Sequence, residues 1–212
     1  MSAVSVLFLG GTGIISSACT ERCLELGMEV FVLNRGTSKT RPIPNACRQL
    51  TGDLDEPDSV RAAIGDLEFD VVADFRAFTP SEVQTRLELF RDRMGQYVFI
   101  SSASAYQTPP ARLPVVESTP LRNPFWQYSR DKISCEDLLV AAYRDEGLPM
   151  TIVRPSHTYD KTLLPFDGGW TVVDRMRRGA EVVVQGDGTS LWTLTHQRDF
   201  AKAFVGLLNH PA

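Results

Sequence analysis

The sequence predicts a doubly wound α/β fold, a parallel sheet covered by helices on both faces. Three observations point to it. Short uninterrupted apolar runs, such as Val4-Ser5-Val6-Leu7-Phe8-Leu9, read as strands buried on both sides. These runs alternate with segments of helical apolar spacing, as successive strand–helix–strand crossovers require. The first run also opens directly into a glycine turn, Gly10-Gly11-Thr12-Gly13, with a helical pattern behind it.

The first strand spans residues 4–9, and the helix after the turn ends near Leu26, where Gly27 supplies the stop. Gly10 permits the tight turn and Gly13 a close approach of backbone. The helix start supplies unpaired N–H groups and the positive end of its dipole. Gly10, Thr12, Gly13, Ile14 and Ile15 are therefore candidates to cradle a pyrophosphate. The spacing is Gly10-x-x-Gly13-x-x-Ser16, with serine in place of a third glycine and small enough for helix–strand packing.

A second strand covers residues 29–33 and ends in Asn34-Arg35-Gly36. A third covers 48–51 and leads through Gly52-Asp53-Leu54-Asp55 into a helix over 57–64. A fourth strand at 70–74 precedes a helix at 80–93, and a fifth strand lies at 96–101. A proline-rich loop (Pro109, Pro110, Pro114, Pro120, Pro124) then leads to a helix carrying Tyr128 and Lys132, and a sixth strand covers 150–153. The remainder reads as a helix at 170–178, strands at 181–184 and 191–195, and a helix at 199–208. The expected division is a nucleotide-binding domain over residues 1–160 and a small, partial substrate-binding region over 161–212, interleaved with the last sheet elements.

Composition narrows the function classes. A chain of 212 residues with 43% hydrophobic residues and a net charge of -4 reads as a soluble globular protein of one or two domains. No run has the length of a membrane span, no basic-then-apolar leader is present, and the mild acidity gives no reason to expect nucleic acid. The cysteines, Cys19, Cys23, Cys47 and Cys135, lack zinc spacing, so no metal is expected. Cys19 and Cys23 fall one helical turn apart and read as small buried hydrophobes. The expected compartment is a reducing cytoplasm.

Tyr128-Ser129-Arg130-Asp131-Lys132 carries the chemistry. Positions four apart on a helix lie one above the other. An ammonium beside a phenol favours the phenolate, which expects Lys132 to bring the Tyr128 pKa down towards the working pH and fit it for proton transfer.

Further landmarks are Gly52-Asp53, Tyr97-Val-Phe-Ile-Ser-Ser-Ala-Ser-Ala-Tyr106, Arg154-Pro155 and Thr195-His196-x-x-Asp199. With the glycine turn and the Tyr–Lys pair, they make the chain resemble the extended branch of the short-chain dehydrogenase/reductase superfamily. That superfamily includes NAD(P)-dependent nucleotide-sugar epimerases, dehydratases and reductases. The resemblance runs through almost the whole chain and implies a Rossmann-type domain. It implies a catalytic trio of Ser102, Tyr128 and Lys132, with Ser102 singled out from Ser101 and Ser104 because it lies four residues before Tyr106. Tyr128 would be the general acid/base, Ser102 would hydrogen-bond the same substrate oxygen, and Lys132 would also hold the ribose.

The same resemblance implies an NAD or NADP cofactor. Asp53, with Leu54 beside it, matches the adenine-binding aspartate, although Asp53 or Asp55 as a cap of the next helix is the competing reading. The second strand ends in Asn34 and Arg35 rather than an acid. With Lys39 and Arg41 nearby, this leans towards NADP. Pro155, with His157-Thr158-Tyr159 after it, resembles the loop beside the nicotinamide.

Some segments depart from the family. After the fourth strand the usual His-Leu-Ala-like run is replaced by Asp74-Phe75-Arg76-Ala77-Phe78, and the helix over 80–93 lacks an Asn. Ala103 and Ser104 stand where the 4,6-dehydratases carry Asp-Glu, which argues against sugar dehydration. Of the tail residues, Trp170 and Trp192 read as core or interface fillers, Arg175, Arg177 and Arg178 as a solvated helix face, and Asp199 as a helix cap.

The favoured expectation is a small-molecule enzyme acting on a nucleotide sugar by epimerisation, with carbonyl reduction next. A second expectation comes from another class. Asn34-Arg35-Gly36 and Gly186-Asp187-Gly188-Thr189 resemble the chloroplast stem-loop RNA-binding proteins, which with the NmrA-like regulators bind RNA or dinucleotide without turnover. The superfamily also implies a homodimer built on the helices at 80–93 and 128–144.

Overall fold

In the computed structural model, residues 3–37, 40–189 and 191–210 are described. Lys39, one of the three cations behind the NADP reading, lies outside them.

Six parallel strands form the main sheet: β1 (Ser5–Leu9), β2 (Glu29–Asn34), β3 (Arg48–Thr51), β4 (Phe69–Asp74), β5 (Met94–Ile100) and β6 (Met150–Val153), in the order β3-β2-β1-β4-β5-β6. Alternation along each strand sorts its side chains between two cores. Val6, Phe8, Val30, Val32, Val71, Ala73, Val98 and Ile100 face one side, where they meet Cys19 and Cys23 of α1 (Ile14–Glu25) and Phe200 and Phe204 of α6 (Gln197–Val205). Leu7, Leu9, Phe31, Leu33, Val72, Tyr97 and Phe99 face the other. There they pack on α2 (Pro57–Ile64), α3 (Pro80–Phe90) and α4 (Gln127–Glu146) through Val60, Val83, Leu87 and Leu139. Burial on both faces is why these strands read as continuous apolar runs.

The strand order reverses between β1 and β4, and such a switch point opens a crevice at the carboxyl ends of the strands. Register brings the strand ends level: Leu9 pairs with Leu33 on one side and Asp74 on the other. Hydrogen bonds then carry the ladder into the loops, with Gly10 N–H on the Leu33 carbonyl (3.1 Å), Phe75 N–H on Leu9 (3.2 Å) and Gly52 N–H on Asn34 (3.0 Å). Three segments distant in sequence thus meet on one rim.

The tail corrects several expectations. Residues 181–184 form no strand: Val183 is 94% exposed and has no sheet edge beside it. An unanticipated strand, β7 (His157–Tyr159), pairs in parallel with β8 (Leu194–His196), which starts later than residues 191–195 suggested. The helix expected over 80–93 is α3 followed by a 3₁₀ turn, Arg91–Arg93. Asp199 does not cap the last helix: the N-cap is His196, whose ring nitrogen accepts from Arg198 N–H, while Asp199 pairs with Lys202 at 3.0 Å. Trp170, in α5 (Trp170–Arg177), and Trp192 are exposed in the chain and are not core fillers. No helix among the described residues is long and apolar enough to cross a membrane.

Candidate active site

A cleft of about 1120 Å³ runs along the carboxyl rim of the sheet. The candidates of the glycine turn, of the Asn34–Arg35 and Asp53–Leu54 segments, of the Ser102, Tyr128 and Lys132 set, and Pro155 line it. Gly10, Thr12, Gly13, Ile14 and Ile15 stand at its middle, Asn34, Arg35, Asp53 and Leu54 at one end, and Ser102, Tyr128, Lys132 and Pro155 at the other.

The glycine turn is built for close approach. Gly10 has φ +90°, a conformation side chains disfavour, and a Cβ there would stand 2.5 Å from Arg76 Cγ. Ser16 does more than fill a small space. Its buried hydroxyl accepts from Gly13 N–H (2.8 Å) and donates to the Gly10 carbonyl (3.1 Å), closing the turn on itself. The first turn of α1 carries no acid. Ile14 and Ile15 thus begin a helix whose dipole end faces the cleft, the arrangement that accepts a phosphate.

At the rim formed by the ends of β2 and β3, Asn34 Oδ1 accepts from Gly36 N–H (2.8 Å) and shapes the turn after β2. Asp53 does not cap α2, whose N-cap is Glu56. Instead one Asp53 oxygen accepts from Asp55 N–H (3.1 Å) and the other faces Arg35 at 3.9 Å. Arg41 is absent from the cleft. It pairs with the buried Asp160 at 2.8 Å, so its guanidinium is already committed. Among the described residues, the cationic case for NADP rests on Arg35.

At the opposite end the three serines after β5 part company. Ser101 is buried and donates to Glu136, which also holds Arg154. Ser104 accepts from Ser129 Oγ (2.8 Å), and its carbonyl accepts from the Asn123 amide (2.8 Å). Ser102 lies 2.9 Å from Ser104 Oγ and opposite the Tyr128 phenol. Tyr128 and Lys132 sit in the first two turns of α4, so the turn geometry stacks them as the spacing required.

Lys132 departs from expectation. Its ammonium donates to the carbonyls of Ala77 and Ile100, 2.7 Å each, and lies 4.8 and 4.6 Å from the rings of Phe78 and Phe99. Burial lowers its pKa to about 8, with Asp74 resisting the shift. The Tyr128 pKa is raised rather than lowered, because burial outweighs the pull of the Ser102 hydroxyl. The ammonium donates to two carbonyls, lies 5.8 Å from the Tyr128 ring, and leaves burial as the dominant influence on the phenol.

Sequence reasoning gave no functional weight to Asp74. It is fully buried, accepts from Arg76 N–H (2.7 Å), Ala77 N–H (2.9 Å) and the Tyr97 hydroxyl (2.8 Å), and stands 3.8 Å from Arg86. An acid ending an apolar strand was the available signal. Phe78, Trp126 and Trp192 also line the cleft, with Trp126 4.7 Å from the Tyr128 ring and Trp192 edge-on to His157 at 5.6 Å.

Known proteins resemble this chain in sequence and in fold. A UDP-glucose 4-epimerase of Lactobacillus helveticus is 26% identical over 168 residues, 71% of this chain and 51% of its own. The chloroplast stem-loop binding protein of 41 kDa b of Arabidopsis thaliana is 26% identical over 221 residues, 99% of this chain and 56% of its own. The chain thus spans about half the length of the curated relatives it matches. Among solved structures, UDP-glucose 4-epimerase of Thermotoga maritima, determined with UDP-glucose, superposes with a TM-score of 0.80 at 20% identity, covering 95% of this chain and 72% of that one. Its likeness is one of fold. The model of the NAD dependent epimerase/dehydratase family matches residues 6–212, and with that match across the sheet, the glycine turn and the α4 site, the chain belongs to this family.

Proposed function

We propose that this chain is the cofactor-binding and proton-transfer part of an NAD(P)-dependent enzyme acting on a secondary alcohol or ketone of a nucleotide sugar, with epimerisation as the net reaction. The observation that carries the reading is the meeting of Ser102, Tyr128 and Lys132 in one cleft with the glycine turn. The epimerase relative supports the substrate class. Residues 1–160 would carry the cofactor and the trio, and the segment after them would face the substrate.

The residues fit a dinucleotide. Gly10, Thr12, Gly13, Ile14 and Ile15 would hold its pyrophosphate, Asn34, Arg35, Asp53 and Leu54 its adenosine half, and Tyr128, Lys132 and Pro155 its nicotinamide half. When bound, the nicotinamide supplies hydride acceptance and return. Tyr128 takes the proton from the substrate hydroxyl and returns it to the same oxygen. Ser102 donates a hydrogen bond to that oxygen and steadies the charge that develops on it. In epimerisation the ketone would turn within the site, so that hydride returns to the other face of its carbon while Tyr128 gives the proton back to its oxygen; simple carbonyl reduction would instead start from a ketone and reduced nucleotide and release the nucleotide oxidised. Arg35 favours NADP, and a homodimer through α3 and α4 would use the shallow groove that Leu87, Leu138 and Ala141 line.

The test is release of nucleotide from purified protein by denaturation, with its identity read by mass spectrometry. Tightly held NAD supports an epimerase that recycles its cofactor and removes the NADP reading. An empty protein that binds NADPH supports a reductase. In either case Tyr128→Phe should lower turnover about 10²–10⁴-fold while the protein still takes up nucleotide. A protein that takes up neither nucleotide sinks the proposal.

The match to the stem-loop binding protein favours a second reading, a binding protein without turnover. It requires a salt-dependent RNA affinity and no hydride exchange.

A further inference from the structure

The glycine turn spends much of its hydrogen-bonding capacity internally. Gly10 N–H donates to Leu33, Thr12 N–H to the Gly10 carbonyl at 2.7 Å, and Gly13 N–H to Ser16 Oγ at 2.8 Å. The turn therefore meets a dianionic pyrophosphate with neutral N–H groups, and the first turn of α1 carries no cation. A cation stands on the adjacent lip. The stem of Arg76 lies across Gly10, with Cγ and Cδ 2.5 and 2.9 Å from where a Cβ would be.

The root of Arg76 is fixed, because its N–H donates to the buried Asp74 carboxylate at 2.7 Å. Its guanidinium lies 5.8 Å from the Phe78 ring and makes no ion pair or side-chain hydrogen bond among the described residues. The other arginine lining the cleft, Arg35, faces Asp53. Arg76 also falls within the segment that departs from the family's His-Leu-Ala-like run.

We propose that Arg76 is a ligand of the cofactor's pyrophosphate and supplies the charge that the self-bonded glycine turn lacks. This rests on the NAD(P) reading of the cleft. A guanidinium with a free fork suits a phosphate oxygen, and the low-dielectric wall of Phe75 and Phe78 strengthens that interaction. Because both dinucleotides carry the pyrophosphate, the contribution of Arg76 is the same for NADH and NADPH.

The test is titration of the full chain with NADH and with NADPH, using Arg76→Met, which keeps an apolar stem over Gly10, and Arg76→Lys, which keeps a charge. Arg76→Met should weaken both nucleotides by about 10- to 100-fold, the effect of losing a charge-assisted hydrogen bond. It should also flatten the salt dependence of binding while leaving the melting temperature unchanged, and Arg76→Lys should recover part of the affinity. Wild-type binding with an indifferent or tighter Arg76→Met overturns the proposal and leaves the cofactor reading standing. A loss confined to NADPH overturns it by assigning Arg76 to a 2′-phosphate. A wild-type protein that binds neither nucleotide overturns both.

Discussion

Lys132 Nζ lies 2.7 Å from the Ala77 carbonyl oxygen, and the N–H of the same Ala77 donates to Asp74. A buried carboxylate therefore shapes the turn on which the site lysine rests. Asp74→Ala strips the partner from Tyr97 and leaves Arg86 as an uncompensated buried charge, a loss of about 3–5 kcal/mol in urea unfolding. Tyr97→Phe removes one donor and should cost about 1–2 kcal/mol. Equal and small losses from both variants would mean that Asp74 does not organise the turn.

Lys132 also makes stability depend on pH in a definite direction. Burial holds its folded pKa near 8, below the unfolded value of about 10.4, so the folded state disfavours the ammonium. The cost is present in full below pH 8 and is relieved as pH rises from about 8 to about 10.4. The thiols act in the opposite sense. Burial pushes Cys23 and Cys135 to about 12 and Cys47 to about 11, and the stability they contribute is lost as pH rises towards those values. Comparison with Lys132→Met isolates the lysine: the stability of the parent relative to the variant should rise by about 3 kcal/mol between pH 7 and pH 10.5. A flat difference would place the Lys132 pKa near its ordinary value.

Ser16 bonds both ends of the glycine turn, so restoring the glycine of the more usual spacing should not help this protein. Ser16→Ala is expected to lose about 1–2 kcal/mol. Ser16→Gly should lose roughly 1 kcal/mol more, since it also frees the backbone in the first turn of α1. Thermal unfolding of the two variants decides the point, and a Ser16→Gly protein as stable as the parent would refute it.

Arg35 bears on the choice between dinucleotides. With Arg41 held by Asp160, Arg35→Ala should weaken NADPH by about 10-fold and leave NADH unchanged in the same titration. Equal affinities would leave Arg35 as a solvated surface charge and remove its share of the case for NADP.

Much of this molecule was legible in its amino acids because the signals are local. The strand interiors Val6–Leu9 and Val30–Leu33 announce themselves by continuous apolarity, since both faces of the sheet are covered. Gly10 and Gly13 follow from backbone geometry, and Tyr128 and Lys132 from the pitch of a helix. The tail was less legible. Residues 181–184 have strand-forming composition and no partner edge, whereas β7 and β8 are three residues each and exist only because the chain returns to the same place.

Periodicity and spacing by themselves determined the layered fold, the position of the glycine turn and the stacking of Tyr128 and Lys132 on one helix face, while Ser102 was singled out by the family resemblance. Only the tertiary structure decided the electrostatics between them. That Lys132 points at two carbonyls, that Arg41 is committed to Asp160 while Arg76 is left free, and that Ser16 closes the turn all depend on contacts between segments far apart in sequence. Burial and the orientation of a charged group are properties of the packed molecule, and no local pattern encodes them.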